Sequence, residues 1–175
     1  MHRAGRHQRT GPIVSSAHLV SEKSAELSEF EFGLIIASHA FQRWIVRCMA
    51  ASGHSDFSPL DVLVLHSVNH RGRVKTLADV CLVLNVEDTH LVNYALKKLV
   101  KAGLVERQRR GKEARYSTTS EGRACCQRYR AIREDCLVSS LNSLGHVNDE
   151  IGSLADLLRA LSGLYDQAAR AAASM

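Results

Sequence analysis

The chain has 175 residues, 45% of them hydrophobic and 23% charged, the proportions of one globular domain, or one domain with an appendage, rather than a disordered polymer. A chain of this length buries roughly 70% of the surface it exposes when unfolded, so it folds without disulfide or metal staples; two prolines and 5% aromatics disfavour an all-β sandwich and predict a mainly helical fold. The net charge of +5 is unevenly placed: residues 97–133 hold twelve Lys/Arg and three Asp/Glu, a balance of +9, against zero before them and −4 after. Such concentration is the footprint of a polyanion partner, most often nucleic acid; the alternative is a solvated basic surface.

Residues 1–23 mix Arg, His, Gly and Ser without periodicity and read as a flexible basic tail, in which Arg3, Arg6 and Arg9 are either a clamp on a polyanion or simply solvated. From 24 to 51, Phe30, Leu34, Ala37, Phe41, Trp44 and Cys48 recur in alternating steps of four and three, a heptad-spaced stripe that serves either a partner helix or the core. Ser52-Gly53-His54 then ends that helix. Ser58-Pro59-Leu60-Asp61 places Ser at an N-cap, Pro at the first helical position and an acid at the third, so a helix is expected over 59–70. Thr76-Leu77-Ala78-Asp79 repeats the signal for a short helix over 77–84, which Asn85 ends in a left-handed conformation.

A third helix is expected from about 87 to 103. Projected at 100° per residue, it gathers Val92, Ala95, Leu96 and Leu99 on one face, with His90, Tyr94, Lys97 and Lys101 opposite and Glu87, Asn93 and Lys98 on the flanks. A short helix, a tight turn and an amphipathic, basic successor make a helix-turn-helix. Residues 104–110 and 113–119 then flank Gly111-Lys112, a glycine-first hairpin turn whose tip carries Arg109, Arg110 and Lys112. A lone two-stranded ribbon is marginal, so it must lean on the helical core. A helix-turn-helix followed by a basic hairpin is a winged helix.

The run Leu96-Lys97-Lys98-Leu99-Val100-Lys101-Ala102-Gly103-Leu104-Val105-Glu106-Arg107, followed by Thr118-Thr119-Ser120-Glu121-Gly122, resembles the MarR family of bacterial transcription regulators over residues 24–172. In that family the recognition helix ends in Leu-x-x-x-Gly-Leu-Val-x-Arg and the wing closes with a Thr-x-x-Gly that opens a long helix. The Gly-Leu-Val-x-Arg element is shared with other winged helices, and the long flanking helices are what favour MarR. Two departures stand out. Family wings carry Asp-x-Arg, the Asp orienting an Arg for the minor groove, whereas Arg110-Gly111-Lys112 occupies the corresponding stretch here, in a short wing without that acid. The recognition helix also opens with Glu87-Asp88, which suits a helix N-terminus but repels phosphate.

From 120 to 144 the apolar positions are Tyr129, Ile132, Cys136, Leu137, Leu141 and Leu144. After Gly145-His146, a second helix from about 148 shows Ile151, Leu154, Leu157, Leu158, Leu161, Leu164 and Tyr165, a stripe wider than a monomeric winged helix needs. The resemblance implies that these helices and the first one interlock two subunits; the alternative is an intramolecular helical hairpin.

The expected organisation is a mainly α chain with a small β-hairpin wing: a tail (1–23), a long first helix (24–57), a winged helix-turn-helix lobe (58–119) and dimerisation helices (120–175). The expected partners are double-stranded DNA and a second copy of the chain, with a small-molecule effector as a further candidate, and the expected role is a homodimeric repressor released by a small molecule or another signal. The expected DNA contacts are Thr89, His90, Asn93, Tyr94, Lys97, Lys101, Arg109, Arg110, Lys112 and Arg115, with Asn93 placed to bond adenine bidentately and Thr89 or Tyr94 to meet a thymine methyl or a phosphate. A winged-helix dimer that docks proteins, or that binds DNA without sequence preference, is the competing reading.

No apolar run reaches the ~18 to 20 residues of a membrane span and no secretory leader is evident, so the cytoplasm is the expected compartment. The five cysteines, Cys48, Cys81, Cys125, Cys126 and Cys136, form no CxxC pair and read as free thiols. Arg123 and Arg128 are the only hint that Cys125 or Cys126 is reactive. His66 and His70 stand i, i+4 but lack a third ligand, so no metal or other cofactor is expected. Trp44 reads as core before it reads as a pocket wall. Phosphate-cradling glycine loops, HExxH, GxSxG and paired carboxylates are absent from the sequence, and an enzyme is not expected.

Overall fold

The computed structural model describes residues 17–21, 23–111, 113–142 and 147–175. Arg3, Arg6, Arg9, Lys112, Leu144, Gly145 and His146, named above, lie outside them. Just before the first helix, Ala17–Leu19 form a 3-10 turn whose Leu19 carbonyl accepts the Ser28 hydroxyl at 2.8 Å.

Helix α1 (Ala25–Ala51) divides along its length. Its C-terminal part buries Ile45, Cys48 and Met49, and Trp44 packs against them, whereas Leu34, Ile35, Ile36 and Phe41 stay exposed. The heptad stripe therefore serves the core at one end and is uncovered at the other.

Helix α2 (Pro59–Asn69) is the centre of the lobe, with Val62, Val64, Leu65 and Val68 all but sealed from solvent. Its start is the expected capping box: the Ser58 hydroxyl accepts the Asp61 N–H at 3.3 Å, and Asp61 Oδ2 accepts the Ser58 N–H at 2.8 Å. It ends one residue earlier than the sequence implies, because His70–Gly72 tighten into a 3-10 turn with Arg71 at φ 60.

Strand β1 (Lys75–Thr76) leads directly into α3 (Leu77–Leu84), which opens with a second capping box between Thr76 and Asp79. Asn85 closes α3 in the left-handed region at φ 51, ψ 46, as its residue type predicts. Helix α4 (Thr89–Lys101) is shorter than the expected 87–103 at both ends. At its start Asp88 is the N-cap, its Oδ1 accepting the His90 N–H at 2.9 Å. At its end Gly103, at φ +72, donates to Val100, and the Leu104 N–H reaches the Leu99 carbonyl at 3.1 Å. That pair of bonds is a Schellman turn, and the left-handed position is the reason for glycine there.

Strands β2 (Val105–Arg110) and β3 (Glu113–Thr118) pair antiparallel along their full length, with Gly111 at φ +65 in the two-residue turn. β1 adds to the other edge of β3, so the expected two-stranded ribbon is a three-stranded sheet in the order β1-β3-β2. The third strand ties the wing to the start of α3.

Helix α5 (Ser120–Arg133) begins at the N-cap Thr119. The expected single helix over 120–144 is interrupted by a π-helical turn, Glu134–Val138, before α6 (Ser139–Asn142). Both the N–H and the hydroxyl of Ser139 donate to the Glu134 carbonyl, five residues back, which holds the wide turn. Helix α7 (Val147–Ala172) leaves Ile151, Leu154, Leu157, Leu158, Leu164 and Tyr165 exposed. Two side chains tie it to the lobe: the Tyr165 hydroxyl donates to Glu31 Oε1 at 3.0 Å, and Asp166 accepts the Asn85 amide at 3.4 Å. Among the described residues no helix is long and apolar enough to cross a membrane.

Three contacts hold the lobe together. A Cβ at Gly122 would overlap the Leu104 carbonyl, so α5 approaches the turn after α4 only because that residue is glycine. Lys98 of α4 donates to Asp61 Oδ2 at 2.8 Å and to the Asp56 carbonyl, and its ammonium lies 5.2 Å from the Phe57 ring centroid. His66 of α2 meets the Tyr129 ring of α5 edge-on at 4.4 Å, with its Nε2 buried and unpartnered.

Each contact makes a stability prediction. Gly122→Ala should destabilise by about 2 kcal/mol or more in urea unfolding, because backbone must move to admit the methyl. Lys98→Met should cost about 2 kcal/mol, less than for a fully buried pair because Lys98 is partly exposed, since it leaves the Asp61 carboxylate buried with only the Ser58 N–H. Burial holds the His66 pKa below its ordinary 6.5, so the folded state keeps the ring neutral while the unfolded chain protonates it. That stabilisation is complete above the unfolded pKa and is lost as pH falls below it; between about pH 7.5 and pH 5 the urea midpoint should fall more in the wild type than in His66→Phe.

Candidate nucleic-acid interface

Helix α4 assigns its structural duties to one face. Val92, Ala95, Leu96 and Leu99 are buried, and Lys98 is spent on the Asp61 tether. Thr89, His90, Tyr94, Lys97 and Lys101 are exposed and Asn93 is half-buried at the margin, so the six helical residues expected to contact DNA share a solvent-facing surface. Tyr94 is 71% exposed, a large aromatic ring open to solvent. Leu91, also exposed, extends this surface and is not in the expected set. Thr89 and His90 occupy the first turn, whereas Lys101 sits at the far end beside Lys98 and the loop after α1.

The acidic start has a local explanation. Asp88 is the cap, its carboxylate bound to a backbone N–H at the positive end of the helix, while Glu87 is simply exposed.

Strand register sorts the wing into two faces. Arg107 lies opposite Tyr116 and Arg109 opposite Ala114, which places them on the side that becomes the core at Val105, Tyr116 and Thr118. Gln108 opposite Arg115, and Arg110 opposite Glu113, form the other side. Arg109 and Arg110 therefore point to opposite faces, as the period of two requires. Arg107, exposed and on the Arg109 face, was overlooked as a contact; the same period applied to the sequence picks it out.

Arg115 is half-buried, and its Nε donates to Glu113 Oε2 at 3.1 Å. The wing thus does hold an acid–arginine pair, one position beyond the Arg110-Gly111-Lys112 stretch where the family pattern places its acid. The Thr76 N–H and hydroxyl hold the Asp79 carboxyl below the usual range, and the positive charges of Lys75 and Arg115 add to this, so Arg115 lies near the start of α3.

The other candidate chemistry disperses. Burial pushes the Cys48 and Cys125 thiols up and that of Cys126 to about 12, so all three stay protonated at neutral pH. The nearby arginines are otherwise engaged: Arg123 donates to the Thr118 carbonyl at 2.7 Å, and Arg128 to the Ser52 carbonyl at 3.1 Å and Glu121 at 2.7 Å. His66 is packed on Tyr129 while His70 is exposed in the 3-10 turn. Among the described residues no three His, Cys, Asp or Glu side chains gather as a metal site.

Residues 57–122 match the family model of a winged helix DNA-binding domain. No curated protein sequence matches the chain significantly. Among solved structures it is similar to a cysteine-to-serine mutant of MarR from Escherichia coli complexed with operator DNA, at TM-score 0.57 and 22% identity over 78% of this chain and 98% of that one. A MarR-family transcriptional regulator from Rhodococcus sp. RHA1 aligns at TM-score 0.59 and 15% identity, over 79% and 95%. BpsR of Bordetella bronchiseptica, whose DNA binding is regulated by 6-hydroxynicotinic acid, aligns at TM-score 0.53 and 21% identity, over 73% and 91%. With its long first helix, winged lobe and trailing helices, the chain has the winged-helix fold of the MarR family of transcription regulators.

Proposed function

We propose that the protein is a homodimeric, sequence-specific double-stranded DNA-binding transcription regulator of the MarR family, acting as a repressor and released from its operator by a small molecule. The observation that carries this reading is the continuity of α4 with the wing. A helix with a free polar face runs through one Schellman turn into a strand bearing Arg107, Arg109 and Arg110. In this reading Thr89, His90, Asn93, Tyr94 and Lys97 meet base edges and phosphates in the major groove. Lys101 extends that row towards the backbone, and Arg109, Arg110, Lys112 and Arg115 serve the neighbouring minor groove or its phosphates.

The uncovered apolar residues of α1 and α7 support the dimer. Leu34, Ile35, Ile36 and Phe41 on one helix, and Ile151, Leu154, Leu157, Leu158 and Leu164 on the other, make more exposed apolar surface than a soluble monomer usually presents. Two copies joined there would offer two recognition helices to half-sites about 34 Å or a multiple apart. Control by a small molecule is supported by the fold-level likeness to BpsR.

The test is a gel-shift titration over several salt concentrations, with a fragment from upstream of the protein's own coding region beside a scrambled control. Preference for the native fragment, with affinity falling steeply in salt, is the expected result. Equal weak binding to both would make the protein a nonspecific DNA binder, and no binding at low salt would turn the search to protein partners. Replacing Arg109 and Arg110 together by alanine should weaken binding to every sequence and flatten the log–log salt slope by up to about 2. An unchanged slope would remove the wing tip from the interface.

A further inference from the structure

The turn between α3 and α4 is flanked by apolar side chains open to solvent. Leu82 and Val83, near the end of α3, are 83% and 65% exposed, and Leu91 of α4 is exposed as well. Three carboxylates border them. Glu87 and Asp88 stand in the turn itself, and Asp166 of α7 reaches it through the Asn85 amide at 3.4 Å. An apolar surface with an acidic rim repels phosphate and is ill suited to DNA. It suits side chains with a long apolar stem and a positive tip, and arginine is the side chain of that description.

Residues 1–16, outside the described part of the chain, carry Arg3, Arg6 and Arg9 and neither Asp nor Glu. They start within reach of the turn. The Leu19 carbonyl is bound to Ser28 of α1, Glu31 one turn further on is bound to Tyr165, and the adjacent Asp166 is bound to Asn85. Those three side-chain bonds, with one helical turn from Ser28 to Glu31 and another from Asn85 back to Leu82, measure on the order of 35 Å laid end to end. Extended chain spans up to about 33 Å from Leu19 to Arg9 and up to about 53 Å from Leu19 to Arg3, so the arginines bracket that distance. We propose that residues 3–9 dock on this turn in the DNA-free protein, with arginine stems over Leu82, Val83 and Leu91 and guanidiniums against Glu87, Asp88 and Asp166. The tether holds the segment at an effective concentration on the order of millimolar, so a contact of weak intrinsic affinity is occupied. Docked there, it covers the approach to Thr89 and His90 in the first turn of α4 and competes with DNA for that end of the helix. The competition rests on the function proposed above; the contact itself does not.

The experiment compares backbone amide spectra of the full-length, DNA-free protein with those of a variant carrying Arg3→Ala, Arg6→Ala and Arg9→Ala. Shifts confined to residues 82–94 and the neighbourhood of Asp166 are the expected result; no shifts there, or shifts centred elsewhere, would overturn the proposal. Leu82→Ser with Val83→Ser removes the apolar part of the patch from exposed positions and should shift the amides of residues 3–9. If that variant sediments as a smaller species than the wild type, the patch belongs to a second copy of the chain and the proposal fails. In gel shifts the same pair of substitutions should tighten DNA binding about threefold by freeing the docked fraction, and should change nothing when Arg3, Arg6 and Arg9 are already alanine. Unchanged or weaker binding in the otherwise wild-type chain would remove the competition. A protein that shows the amide shifts but binds no DNA would overturn the regulator and leave the contact standing, whereas one that binds DNA without the shifts would do the reverse.

Discussion

Four elements of the lobe converge on Thr119. Its hydroxyl donates to the Gly103 carbonyl at 2.6 Å and accepts the Gly122 N–H at 3.0 Å, while its own N–H donates to the Leu104 carbonyl at 3.1 Å. Gly103 and Leu104 are the residues that end α4 and lead into β2; Thr119 and Gly122 are those that leave β3 and open α5. One side chain thus satisfies backbone groups orphaned at a helix start and at a helix end. The spacing follows from the geometry: a hydroxyl at the N-cap, a glycine three residues on where the Leu104 carbonyl leaves no room for a Cβ, and a glycine at the left-handed position after α4. The Gly-Leu-Val and Thr-x-x-Gly sequences are two halves of one clasp that joins the end of α4 to the start of α5.

What the sequence makes legible is what a few neighbouring residues decide among themselves. Both capping boxes, the left-handed Asn85, the glycine of the hairpin turn and the buried face of α4 are outcomes of local chemistry or of a period, and each stands where its residues put it. The misses have the opposite character. Strand β1 is two residues long, too short to show alternation, and exists only because β3 offers an unpaired edge. The π-helical turn inserts no glycine or proline, so nothing in residues 134–138 announces it. Lys98 reads as one more basic flank residue, because its partners Asp61 and Asp56 come from thirty or more positions earlier.

The candidate interface was legible to the same degree. The helical period finds the exposed face of α4, because burial of the other face settles it. The wing is harder: the period of two puts Arg107 and Arg109 on one side, but only the register shows that this side becomes the core and that Arg110 shares the other with Arg115. The ion pair between Glu113 and Arg115 lies outside the position where the family pattern looks for an acid, so pattern matching passes over it.

The acidic start of α4 then shapes how such a lobe can bind. A helix N-terminus carries roughly half a positive charge and ordinarily attracts phosphate. Here Asp88 already offsets that charge, with Glu87 adjacent, so the first turn offers a phosphate little. The positive potential instead begins at Lys97, continues through Lys101 and culminates in β2, where three arginines follow within six residues. Attraction to a polyanion therefore grows along the chain from the N-terminal end of α4 to the wing. The residues that the proposed function assigns to base edges, Thr89, His90, Asn93 and Tyr94, lie at the weakly attracting end. On the function proposed above, such a lobe would separate holding from reading: the wing would supply salt-sensitive affinity, and the start of α4 discrimination.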